Sequence, residues 1–95
     1  MEAYFTRGIS YYELGQYQQA IEDYTKAIEL PDERIYKTLW YNSRGETYRY
    51  KRYFDSAIKD YEQSILLDPE NPYAYYNLGI VYYSLKNHII LFMRI

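Results

Sequence analysis

The chain has 95 residues, 48% of them hydrophobic and 25% charged, a balance that fits one globular unit rather than a disordered segment. Its formal net charge of -2 comes from acidic and basic residues interleaved along the chain, which argues against a clustered basic face for nucleic acid, and the lack of cysteine excludes disulfides, thiolate metal sites and a thiol nucleophile. The longest apolar run, Ile89 to Met93, is far short of the roughly 20 residues that span a bilayer, and no secretory pattern opens the chain, so the default expectation is a cytoplasmic protein without a membrane partner.

From the N-terminus, Tyr4, Gly8 and Tyr11 recur at i, i+4 and i+7 and predict one helix face, with Phe5, Ile9 and Tyr12 on a second stripe one step round. Leu14-Gly15-Gln16-Tyr17 predicts a short turn in which Gly15 takes the left-handed position that ends a helix. A second helix follows, apolar along Ala20, Ile21, Tyr24, Ala27 and Ile28 and polar along Glu22, Lys26 and Glu29. The small Gly8 and Ala20 let the two helices approach closely, and Tyr24 fills the space beside them. Proline at Pro31 stops this unit.

The pattern then repeats. Gly45 lies between Tyr41 and Tyr48 as Gly8 lies between Tyr4 and Tyr11, and Ala57, Asp60, Tyr61 and Ile65 echo Ala20, Asp23, Tyr24 and Ile28. Three extra residues between the units predict a lengthened start to the second, around Ile35 to Leu39. Leu67-Asp68-Pro69 closes it, and Pro72 suits the first turn of a third, where Gly79 again lies between Tyr75 and Tyr82. The three glycines are spaced by 37 and 34 residues. Past Leu85 the match fails: a turn is expected near His88, then an apolar tail from Ile89 to Ile95 in place of a second helix with a polar outer face. That tail predicts association through residues 75 to 95, arising from a natural self-association surface or from an array that once continued.

These spacings resemble the tetratricopeptide repeat, a pair of helices in about 34 residues with aromatic, Leu-Gly, Tyr, Ala, aromatic, Ala and Pro at set positions. Tyr4, Gly8, Tyr11, Ala20, Tyr24 and Ala27 carry the likeness in the first unit, Tyr41, Gly45, Tyr48, Ala57, Tyr61, Ser64 and Pro69 in the second, and Tyr75, Leu78, Gly79 and Tyr82 in the third. Arg7 and Arg44 depart from the pattern where Leu is usual, their stems packing while each guanidinium reaches solvent or a carboxylate. The resemblance implies an all-α, right-handed α-solenoid of about two and a half repeats, with repeat one at 1–34, repeat two at 38–71, a partial repeat three at 72–88 and the tail at 89–95.

The resemblance also implies a protein-interaction module, an adaptor or scaffold, that holds a peptide of a partner in a concave groove. The family's groove positions fall on Phe5, Ile9 and Tyr12, on Leu39, Asn42, Glu46 and Arg49, and on Tyr73, Tyr76, Ile80 and Tyr83. Chaperone-binding members grip a terminal carboxylate with Lys, Asn, Asn, Lys and Arg at positions that fall here on Phe5, Ile9, Ser43, Tyr73 and Asn77. None matches, which argues against capture of an Hsp70 or Hsp90 tail by charge-assisted donors.

No catalytic pattern accompanies the repeats. His88 is the only histidine and has no cysteine to join it in a metal site. No phosphate-binding glycine loop or nucleophile elbow is present, so neither an enzyme nor a cofactor is expected. Glu22, Asp23, Asp60 and Glu62 are expected on solvated helix faces.

Overall fold

In the computed structural model, which describes residues 3–31 and 34–93, five helices follow one another: α1 (Ala3–Glu13), α2 (Tyr17–Ile28), α3 (Arg34–Tyr50), α4 (Phe54–Leu67) and α5 (Pro72–Met93). Each packs mainly on its neighbours in sequence, α1 on α2, α2 on α3, α3 on α4 and α4 on α5, which is the one-dimensional stacking of an α-solenoid. The expectation for Ile95 lies outside the described residues.

The turns explain the pairing. Gly15 has φ +76°, Gln16 N–H donates to Tyr11 O at 2.8 Å and Gly15 N–H to Tyr12 O at 3.0 Å, so the end of α1 is closed by the paired bonds of a Schellman motif. The second unit builds the same turn with Arg52 at φ 66°, and Tyr53 then stacks on Tyr48 with ring centroids 6.3 Å apart. At the start of the second unit α3 runs for 17 residues, six more than α1, and takes in Ile35 to Leu39 as the spacing predicted.

Two cores result. Phe5, Ala20, Tyr24, Ala27, Ile28 and Trp40 are buried together in the first, and Ala57, Tyr61 and Val81 in the second, each core closed by a helix of the following unit. Gly8 and Gly45 are small because the opposite tyrosine demands it: a Cβ on Gly8 would lie 2.6 Å from Tyr24 Cε1, and one on Gly45 2.9 Å from Tyr61 Cε1. Tyr61 is fully buried and its ring has nowhere to swing, so Gly45→Ala is expected to cost about 1 to 3 kcal/mol. A Cβ on Gly79 would meet nothing within 4 Å among the described residues, so Gly79→Ala, which favours helix, is expected to be neutral or to stabilise by up to about 1 kcal/mol. Thermal denaturation of the two variants checks the contrast, and equal shifts would contradict it.

The carboxylates Asp23 and Asp60, expected on solvated faces, are instead buried in ion pairs. Arg7 Nε and Nη2 donate to Asp23 at 2.7 and 2.8 Å, and Arg44 Nε and Nη2 donate to Asp60 at 2.8 and 2.7 Å. Arg44 Nη1 also donates to Thr25 Oγ1 at 3.1 Å and so ties the second unit to the first. Hydrogen bonding from the Arg7 guanidinium holds the Asp23 carboxyl below its ordinary range, whereas burial keeps that of Asp60 above it against the pull of Arg44.

The third unit departs most from expectation. No turn forms at His88 and no tail separates at 89, since α5 continues unbroken from Pro72 to Met93. The segment Leu85 to Leu91 holds neither glycine nor proline, so nothing punctuates the helix. His88 is an exposed helical residue with its ring 6.3 Å from that of Phe54. No helix among the described residues is long and apolar enough to cross a membrane.

Candidate functional site

With α3 starting about six residues earlier in its unit than α1, the first helices of the second and third units, α3 and α5, stand either side of a groove of about 950 Å³. Helix α3 lines it with Ile35, Thr38, Leu39, Asn42, Ser43 and Glu46, which recur at intervals of three, four and seven and so share one face. Helix α5 contributes Tyr73 and Asn77, and Leu67, Asp68 and Asn71 form the floor at the α4–α5 junction. Asn71 Oδ1 accepts the Tyr73 N–H at 2.9 Å, a local turn that sets where the Tyr73 side chain starts.

The lining mixes apolar side chains with three amides and the hydroxyls of Thr38 and Ser43. Side-chain amides and hydroxyls of this kind pair with the N–H and C=O groups of an extended peptide, while Ile35, Leu39, Leu67 and Tyr73 offer apolar contact. Glu46 lies 3.9 Å from Arg49 Nη2. Burial first, and then the Glu46 carboxylate, hold the Tyr12 phenol above its ordinary range, and Tyr12, Tyr17 and Tyr50 form a cluster whose centroids are 5.7 to 5.9 Å apart.

Of the residues expected to contact a partner, Leu39, Asn42, Glu46 and Tyr73 line this groove together. Tyr76, Ile80 and Tyr83 extend the same stripe of α5 past its mouth, the two tyrosines strongly exposed and Ile80 half-buried. Arg49 stands outside, its guanidinium 4.8 Å above the Tyr50 ring. Phe5 requires correction: it is only 3% exposed, with its ring 5.6 Å from Tyr24 and 6.0 Å from Trp40, so it is a core residue. Ile9 and Tyr12 are half-buried against the same core. Sequence reasoning did not reach Ile35, Thr38, Leu67, Asp68 and Asn71 as lining; Ile35 and Thr38 carried a signal, lying four and one residues before Leu39 on its helix face.

The sequence matches the family pattern described as TPR repeat over residues 41–86 and that described as Tetratricopeptide repeat over residues 2–30. No curated protein is similar enough in sequence to count as a match. Among solved structures, the chain is similar to the second TPR of Spaghetti (RPAP3) bound to the HSP90 peptide SRMEEVD, at 29% identity and a TM-score of 0.79, covering 90% of this chain and 76% of that one. It is similar to the Arabidopsis OM64 TPR domain at 26% identity and a TM-score of 0.79, covering 88% of this chain and 67% of that one. The first TPR of Spaghetti (RPAP3), bound to the same peptide, shares the fold at 24% identity and a TM-score of 0.79, with 88% of this chain and 66% of that one covered. The chain thus spans about two thirds to three quarters of the length of these domains. The expectation that Hsp70 and Hsp90 tails do not fit finds no support here, because two of the similar domains hold an HSP90 peptide. Matched by repeat patterns near both ends and superposing on solved domains of the same build, the chain belongs to the tetratricopeptide repeat family.

Proposed function

We propose that this chain is a non-catalytic interaction module, serving as an adaptor or scaffold, that holds a peptide segment of a partner protein in the groove between α3 and α5. The observation that carries the reading is the groove itself, open to solvent and lined by both amide and apolar side chains. The similar domains that bind peptides support it. The variant Leu39→Gln/Tyr73→Ala changes two exposed lining residues and should leave helicity intact. It is expected to weaken binding about tenfold or more in fluorescence polarisation against a peptide panel that includes SRMEEVD, since a few central contacts dominate such interfaces. Unchanged affinity across all bound peptides would sink the reading.

A second reading, self-association through the outer face of α5, is favoured by one observation. Tyr24 covers Gly8 and Tyr61 covers Gly45, yet nothing among the described residues covers Gly79, and Tyr75 and Tyr82 beside it are about half exposed. Two copies could pack tyrosine rings over each other's Gly79 in an isologous contact. Sedimentation velocity from 5 to about 500 μM should then show a rising weight-average mass that Gly79→Leu abolishes. A monomer throughout the series would exclude it.

A further inference from the structure

We infer that the α3–α5 groove selects a basic peptide segment, one whose Arg or Lys side chains meet the groove's carboxylates and tyrosine faces; this rests on the peptide-binding reading above. The sign comes from the lining. Its charged members are Glu46 and Asp68, both acidic, and neither lysine nor arginine is among the lining residues. Asn42, Asn71 and Asn77 are neutral amides that accept or donate to a peptide of either charge, so the carboxylates decide the preference. Arg49 offsets Glu46 only weakly at 3.9 Å, and Asp68 is exposed with no side-chain partner among the described residues.

The tyrosines point the same way. Elsewhere in the molecule lysine and arginine lie over tyrosine rings: Arg7 and Lys26 over Tyr4, Arg44 over Tyr41 and Tyr48, Lys51 over Tyr53. Tyr73, Tyr76 and Tyr83, at 70%, 68% and 69% exposure, follow one stripe of α5 from the groove outward and have no ring or cation over them among the described residues. A guanidinium held between such a ring face and a carboxylate gains from both, and an acidic side chain there would be repelled by Glu46 and Asp68.

The test is to pan a phage-displayed library of random dodecapeptides against the whole chain, sequence the selected clones and synthesise them for binding titrations. Selected peptides enriched in Arg and Lys, weakened roughly three- to tenfold by Glu46→Gln/Asp68→Asn and weakened further by salt, are the expected result. Circular dichroism confirms that these near-isosteric variants stay folded. If the selected peptides are neutral or acidic yet still lose affinity with Leu39→Gln/Tyr73→Ala, the charge preference is overturned while the groove reading stands. If no selected peptide responds to Leu39→Gln/Tyr73→Ala, the groove reading falls and the inference with it.

Discussion

Arg44→Met is expected to destabilise the fold by about 3 kcal/mol at neutral pH, because it strands a carboxylate that the fold has taken out of water. Asp60 is 3% exposed, and both its oxygens accept from Arg44. Met keeps an unbranched apolar stem but supplies no donor and loses the guanidinium that lies over the Tyr41 and Tyr48 rings. The loss should depend on pH, with a sign that follows from burial. Asp60 already lies above its ordinary range, and without the guanidinium it rises further. The folded variant then takes up a proton at higher pH than the unfolded chain, so its deficit shrinks as pH falls from 7 toward 5. Arg44→Met/Asp60→Leu should recover most of the stability, since a well-packed apolar pair replaces the ions. Urea denaturation at both pH values measures all three chains. A deficit that ignores pH and a double variant as weak as the single one would contradict the account.

Trp40→Ala is expected to cost about 3 to 5 kcal/mol, the largest effect of any single truncation in the molecule. Trp40 is 1% exposed, and its ring lies 6.0 Å from both Phe5 and Tyr36, so it is the side chain by which the second unit closes the core of the first. Small domains hold only about 5 to 15 kcal/mol in total, so this variant would be poorly folded at 37 °C. Trp40→Phe should lose much less, because its ring still fills part of the site and the buried Nε1, which has no hydrogen-bond partner among the described residues, is removed. Trp40 is the single tryptophan, so circular dichroism rather than fluorescence must follow the melts. Equal melting temperatures for Trp40→Ala and the parent would show that the units are held together elsewhere.

Local pattern was enough for the helix pairs, their turns and the register of the repeats. The spacing of Tyr4, Gly8 and Tyr11, its recurrence around Gly45 and Gly79, and the prolines between units each act within a few residues, and the structure follows them. The early start of α3 was legible for the same reason, and four of the positions that the family resemblance implied, Leu39, Asn42, Glu46 and Tyr73, line one groove.

Contacts between units decided the rest. A stripe such as Phe5, Ile9 and Tyr12 reads identically whether it faces a ligand or a neighbouring helix, and in the fold Phe5 is enclosed between Tyr24 of α2 and Trp40 of α3. Asp23 and Asp60 look solvated on their own helices; the clue was that each precedes a core tyrosine while Arg7 and Arg44 each precede a core glycine, a pairing across 16 residues. In the third unit Leu78 takes the place of that arginine, and among the described residues no helix folds back over Gly79. The groove's acidic character likewise required the fold, because Glu46 lies on α3 and Asp68 at the α4–α5 junction, and only packing brings them to one cavity. Periodicity specifies which face of each helix is apolar, whereas what covers that face depends on side chains that packing brings from distant parts of the chain.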